Sequence, residues 1–458
     1  MTQKQTASAA LSASEKRSIS GLAIIFALRM LGLFMILPVF SLSAQQYAHS
    51  TPLLIGLAIG AYGLTQAALQ IPFGMMSDRI GRKNVIFIGL VLFALGSVLA
   101  AVADSIYTVI LGRLLQGSGA IAAVVMALTA DLTRDQHRTK AMAAIGISIG
   151  LSFSLALASG AALESSLGLD GIFWATAILA VVGMAVLKWW VPTPHRHKVH
   201  KEMKPAKKQL MDVLTNRPIM RMVISILLLH LLLTLSFFAL PIALQDFAGI
   251  AKEDLAKTYL PILLLAFVTM VPFIIVAEKH RQMKIVFIGA IAVLAIAQFG
   301  WALKPGSLTL LLLCLWLFFT AFNILEASLP SMMSKLSPLY YKGTAMGVYS
   351  SAQFIGAFLG GVLGGVIYSF GDISWIFFTA MGLCLLWLLM MLPMAAPTHF
   401  SHRIIPLKGL TKANADDYQN QLESIPGVVE TIIVIQDKLA YVKFLADDTD
   451  ITELESVA

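Results

Sequence analysis

The sequence predicts an all-α membrane protein of twelve transmembrane helices in two six-helix halves, followed by a small α+β domain on the cytoplasmic side. Three observations predict it. The 458 residues are 58% hydrophobic and only 13% charged, with a mean hydropathy of +0.81, whereas about a quarter of a soluble domain is charged. Twelve apolar runs each approach or exceed the roughly 20 residues that a helix needs to cross the hydrocarbon. Beyond Pro397 the balance reverses: residues 401–458 hold five Lys/Arg and ten Asp/Glu, which leaves a net +13 on residues 1–400.

Residues 1–18 form a polar N-terminal tail. The runs then lie near 19–45, 52–76, 84–103, 107–132, 139–165, 171–191, 219–245, 258–277, 285–303, 307–333, 343–369 and 373–396. The first is too long for a signal-peptide core, so it is expected to be retained as a helix. Cations near span ends stay on the cytoplasmic side. One set of connecting segments holds Lys16, Arg17, Arg79, Arg82, Lys83, Arg134, Arg138, Lys140, Lys279, Arg281, Lys284, Lys335 and Lys342, and the other only Lys252, Lys257 and Lys304. Both termini are therefore expected in the cytoplasm, and the net charge of +8 reflects topology rather than a nucleic-acid surface.

The six-span halves, 19–191 and 219–396, are separated by a basic cytoplasmic linker, 192–218. Within it, Lys207 to Leu214 has the pattern of a short amphipathic helix suited to anionic headgroups. His195, His197 and His200 form a short tract on a solvated basic segment, and no metal is assigned to it. Residues 397–458 read as strand 403–407, helix 413–422, strands 428–435 and 439–445 around a turn at 436–438, then helix 448–457. That βαββα order, with room for a short last strand, suggests a ferredoxin-like domain. It contains no cysteine, which excludes thiolate metal binding there; Cys314 and Cys384 fall inside apolar spans as packing residues. An acidic domain under a basic membrane face is suited to docking on the linker and loops.

The most specific motif is Gly74-Met75-Met76-Ser77-Asp78-Arg79-Ile80-Gly81-Arg82-Lys83-Asn84, a charged turn between two apolar runs. Gly74 would allow close helix approach, Gly81 supplies a turn conformation, Asp78 suits a helix N-terminus, and Arg82 can pair with an acid such as Asp131. The motif resembles the loop between helices 2 and 3 of major facilitator superfamily transporters, Gly-x-x-x-Asp-Arg-x-Gly-Arg-Lys. The resemblance, which covers residues 15–396, implies twelve helices, a bacterial inner-membrane location and alternating access. It also implies a conformational latch of Gly74, Asp78, Arg79, Gly81, Arg82 and Asp131, with the start of the eleventh span near Lys342-Gly343 supplying a dipole.

In the fourth span, Arg113-Leu114-Leu115-Gln116-Gly117 resembles the Arg-x-x-Gln-Gly element of proton-coupled members, which implies a proton-transfer role for Arg113 and a place for Gln116 and Gly117 in the substrate cavity. The fifth span departs from the antiporter pattern, having Gly146, Gly150 and Gly160 without the expected proline. Gly146/Gly150, Gly343/Gly347, Gly356/Gly360 and Gly361/Gly365 read as close-packing pairs.

Mid-span polar residues are costly in hydrocarbon and mark function. Arg29, His230 and Glu326 stand near the midplane, with Asn323 beside Glu326 as a cavity residue. Glu326 is suited to carrying a proton or anchoring a cation, with His230, Arg29 and Arg113 in coupling; the alternative is a structural pairing of Glu326 with Arg29 or with another helix. The expected function is proton-coupled efflux of a small drug-like or cationic molecule by a monomer in the bilayer, driven by the proton gradient and without a cofactor. A gradient-independent facilitator of a sugar or metabolite and a non-transporting sensor are the alternatives. No phosphate-cradling loop for ATP is present, and no enzyme chemistry is expected.

Overall fold

The computed structural model describes residues 11–193, 206–304, 306–338, 341–394, 400–407, 409–411, 414–435, 439–445 and 449–457. The first half comprises α1 (Ala13–Phe34), a short α2 (Phe40–Ser43), α3 (Pro52–Ile80), α4 (Arg82–Ala101), α5 (Ile106–Ser118), α6 (Ala122–Asp131) and α7 (Asp135–Trp189). Helix α8 (Ala206–Thr215) covers the amphipathic part of the linker; the histidine tract lies outside the described residues. The second half comprises α9 (Arg217–Ala248), α10 (Leu255–Lys279), α11 (Met283–Ala302), α12 (Leu308–Leu336), α13 (Lys342–Phe370) and α14 (Ser374–Met391).

Among the described residues these helices make twelve crossings, because two spans are not simple rods. Helix α7 makes two crossings, turning at Gly168, whose φ of 68° and ψ of −174° suit glycine. The fourth crossing is broken between α5 and α6, where Gly119 lies so close to α4 that a Cβ would stand 2.2 Å from the Gly89 carbonyl oxygen.

The first span differs from the expected 19–45. It begins at Ala13, inside the segment read as a tail, because Ser12 and Glu15 form a reciprocal capping box. Glu15 is also held by Arg134 at 2.7 Å, from the segment before α7. The helix stops at Phe34, and Pro38, which has no N–H, lies in the turns that lead to α2.

The halves meet along α3 and α13. A Cβ at Gly56 would stand 2.3 Å from the Gly361 oxygen, at Gly60 2.6 Å from the Phe358 oxygen, and at Gly63 2.5 Å from the Phe354 oxygen; Ser351 reaches the Ala67 carbonyl at 3.4 Å. On its other side α13 presses Gly356 and Gly360 onto the Leu227 and Leu231 carbonyls of α9, at 2.1 and 2.2 Å by the same measure. These contacts occupy the outer part of the pair, away from the termini. Toward the cytoplasm, Gly74, Gly343 and Gly347 have nothing within 4 Å of a built Cβ. The close packing expected at Gly74 and Gly343/Gly347 is therefore absent in this arrangement. Gly146 is likewise open, and Gly150 meets only Phe267 at 3.9 Å. The α3–α13 seam is thus tightly packed in its outer part and open around Gly74, Gly343 and Gly347.

The C-terminal domain has β1 (Phe400–Pro406), α15 (Ala415–Glu423), β2 (Val428–Val434), β3 (Leu439–Leu445) and α16 (Ile451–Ser456). Its antiparallel sheet has the order β1-β3-β2, the ferredoxin-like order without a fourth strand among the described residues. The expected turn at 436–438 lies outside those residues. Ile405, Val442 and Phe444 meet Leu422 of α15 and Leu454 of α16 in its core. Lys443, one residue out of that pattern, is buried and donates to the Ser337 carbonyl at 3.4 Å, between α12 and α13. Burial pushes its ammonium below the usual lysine range.

Substituting Gly60→Val should lower stability by about 1–3 kcal/mol through overpacking against Phe358. Gly343→Ala, with open space around it, should leave the thermal unfolding midpoint in detergent unchanged.

Candidate functional site

At the cytoplasmic edge, Gly81 adopts φ 96° and lets α3 end directly into α4. The turn aims Arg82 back into its own half: Nε contacts Asp131 Oδ2 at 2.6 Å, while Nη1 contacts Asp78 Oδ1 at 2.9 Å and donates to Ser77 Oγ at 2.9 Å. Arg79 is exposed. Lys83 donates to the Val191 carbonyl at 2.8 Å, just past α7, a favourable place for a cation. The ion relay joins α3, α4 and α6 without reaching α13.

Within the first half, two buried guanidinium groups flank Tyr62, with Arg29 5.7 Å and Arg113 5.1 Å from the ring centroid. Arg29 donates through Nη2 to Gln66 Oε1 and to the Gly119 carbonyl, the latter at 2.8 Å. Arg113 donates to the Ala58 carbonyl at 3.3 Å and to Gln116 Oε1 at 2.8 Å; Gln116 donates in turn to Ser97 Oγ at 2.8 Å. Hydrogen bonds to carbonyl dipoles and contact with an aromatic face are how these charges are accommodated away from water. Gln116 is fully buried in this network, and a Cβ on Gly117 would stand 2.1 Å from the Tyr62 carbonyl oxygen. Both residues, expected in the substrate cavity, are packing and bracing positions of the first half. Arg29 is committed to Gln66 and Gly119, so the alternative pairing with Glu326 is not formed.

The second half supplies a different cluster. Glu326 Oε2 stands 3.8 Å from His230 Nε2, across from α12 to α9. Gln353 on α13 places its amide nitrogen 2.8 Å from the same His230 nitrogen, and His230 Nδ1 lies 3.3 Å from the Ile226 carbonyl. Gln353 and the Ile226 carbonyl thus engage the two ring nitrogens of His230. Glu326 Oε2 is buried with no hydrogen-bond partner among the described residues, and the same holds for the Tyr349 hydroxyl, within electrostatic reach of it on α13. Asn323 is half-buried one turn before Glu326. Phe322 faces the His230 ring at 6.1 Å and stacks on Phe153 of the first half at 5.8 Å.

Gln353 and Tyr349 were not singled out from the sequence. Their i, i+4 spacing places them on one face of α13, which was the available signal. The adjacent Phe354 meets Tyr62 at 6.3 Å, so the two polar clusters abut across the interface through an aromatic contact.

The sequence profile of the Major Facilitator Superfamily matches residues 22–360 and 263–416. The inner membrane transport protein YajR of Escherichia coli is 44% identical over 441 residues, covering 96% of this chain and 97% of that protein. An uncharacterised transporter of Buchnera aphidicola is 36% identical over 337 residues, covering 73% of this chain and 86% of its own. Among solved structures, a D-xylose–proton symporter superposes with a TM-score of 0.66 at 16% identity, covering 84% of this chain and 98% of its own.

The Tyr62 hydroxyl is buried without a partner among the described residues, whereas its ring contacts two cations. Tyr62→Phe should therefore leave stability within about 0.5 kcal/mol, while Tyr62→Ala should cost about 3–5 kcal/mol. Thermal and denaturant unfolding of the purified protein checks both.

Proposed function

The chain belongs to the major facilitator superfamily, and we propose that it is a proton-coupled secondary transporter that exports a small molecule by proton antiport through alternating access. It is a multi-pass protein of the inner membrane with both termini in the cytoplasm. The observation that carries the proposal is Glu326, whose buried Oε2 has no hydrogen-bond partner among the described residues and faces His230 at 3.8 Å. A carboxyl so placed can take a proton when water reaches one side and yield it when the other side opens. Arg29 and Arg113 are assigned to the coupling as fixed positive charges of the facing half, each held within that half. Asn323, half-buried beside Glu326, is assigned to the substrate cavity together with Tyr349 and Gln353. The monomer is sufficient for this cycle.

The latch follows from the register of α3 against α13. Gly56, Gly60, Gly63 and Ala67 face Gly361, Phe358, Phe354 and Ser351 in nearly constant antiparallel steps. Continued toward the cytoplasm, that register sets Gly74 opposite Gly343 and Thr344, and Asp78 just before the start of α13. When the cytoplasmic ends close, the open space at Gly74 and Gly343 permits contact, and Asp78 meets the positive end of the α13 dipole. Arg82, clamped by Asp131, orients Asp78 for this; Gly81 makes the turn, and Arg79 remains on the cytoplasmic surface. On this reading the open space at Gly74 and Gly343 belongs to the inward-open half of the cycle.

Flux in proteoliposomes under an imposed proton gradient, with a panel of lipophilic cations and sugars, tests the coupling. Gradient-driven export should be lost in Glu326→Gln, with folding retained; unchanged coupling in that variant would remove Glu326 from the role, and flux indifferent to the gradient would replace antiport by facilitation. Arg82→Ala removes ion pairs that are 23–48% solvent-exposed, so it should cost about 1 kcal/mol or less in stability yet reduce flux at least about tenfold. A parallel fall in both would make the loop structural only.

A further inference from the structure

On the outer side, Glu164, near the end of the first arm of α7, accepts a hydrogen bond from Ser43 Oγ at 2.8 Å and forms an ion pair with Lys252. Ser43 ends α2 and belongs to the first half; Lys252 opens the short turn before α10 and belongs to the second. The pair thus ties together two bodies that alternating access must separate. Arg82–Asp131, Arg134–Glu15 and Lys304–Asp372 each stay inside one half. We infer that Glu164 and Lys252 are the outer gate of the transport cycle, a pair formed when the outer side closes and broken when it opens. The inference rests on the alternating-access reading and adds positioning residues to it.

The physical argument concerns hydration. The Glu164 side chain is 2% exposed and that of Lys252 35% exposed, so closure strips water chiefly from the carboxylate. Lys252 and Ser43 offset that loss at Oε1, while Oε2 is buried with no hydrogen-bond partner among the described residues. Compensation is therefore partial, and opening restores water to Oε2. A permanent structural tie would satisfy both oxygens; a gate has to stay close to balance so that it can part. It also occupies the end of the molecule where backbone contacts at Gly56, Gly361 and Gly365 close the outer side. The inner latch and the outer pair are then formed in alternate states.

Removing one partner of a buried ion pair leaves an uncompensated charge, whereas replacing both is close to neutral. Lys252→Met should thus drive the outer side open so that Glu164 regains water, and adding Glu164→Gln should let it close again. Spin labels at Gln45→Cys and Leu308→Cys span the outer side, and at Lys140→Cys and Gln282→Cys the cytoplasmic side; all four native residues are exposed. Cys314 and Cys384 are buried, which keeps labelling at the introduced sites. Double electron–electron resonance on the full chain should show Lys252→Met lengthening the outer distance and shortening the inner one, with the inward-to-outward ratio falling about tenfold or more. The double variant should return both distances to those of the parent. Distances unmoved by Lys252→Met, or a shift that Glu164→Gln does not reverse, would overturn the gate. No substrate or proton gradient enters this measurement, so a failure of proton coupling would leave it standing, and its own failure would not touch the flux result.

Discussion

A charge placed where water is scarce has to be answered by the protein, and the arrangement of this molecule depends on where each answer comes from. Arg29 and Arg113 are answered within the first half, by Gln66, Gln116, backbone carbonyls and the Tyr62 ring. Glu15 is answered by Arg134, again within that half. These settled charges make the first half a braced body. Glu326 is answered incompletely, by a histidine at 3.8 Å, and Glu164 is answered from across the interface by Lys252. In the proposed cycle these are the groups whose surroundings change as the halves rock.

Rocking needs a contact to pivot on. In lipid, close helix contact comes from small residues, because the hydrocarbon gives apolar side chains no preference for protein over solvent. The glycine-lined seam between α3 and α13 supplies that contact in the outer part, where backbones touch. Its continuation at Gly74 and Gly343 is empty here and has the geometry to be filled. A seam closed at one end and open at the other, with the Glu164–Lys252 pair at the outer end and Asp78 near the start of α13 at the inner end, connects the glycine pattern to the proposed transport cycle. The C-terminal domain touches this system through Lys443, beneath the turn that leads into α13, the helix that forms the seam.

Much of this was legible in the sequence because its signals are local. Hydropathy marked the spans, Lys and Arg counts oriented them, and the βαββα order marked the terminal domain before its sheet was seen. The turn at Gly81 followed from a short local motif, and the Arg82–Asp131 pairing from the resemblance that this motif carries. The mid-span positions of Arg29, His230, Arg113 and Glu326 were visible because polar residues are rare there. Their partners were not, since a span that is apolar on all sides does not reveal which face it turns inward. Gln353 therefore went unnoticed beside His230, and Gln116 and Gly117 were read as cavity residues when they brace Arg113 and press on Tyr62. The start of α1 was set by the capping box at Ser12 and by Arg134, a contact between segments far apart in the chain. Lys252 had been counted only as an outer cation; its meeting with Glu164 depends on how the halves close.

Glu326 is proposed as the carboxyl free to exchange a proton, whereas Glu15 is paired with Arg134 and Glu164 with Lys252. A hydrophobic carbodiimide reacts with a carboxyl in its protonated form, and peptide mass spectrometry then locates the adduct, so no substrate has to be known. The account predicts modification at Glu326 in preference to Glu15 and Glu164. An unmodified Glu326, with the adduct on either of the other two, would contradict it.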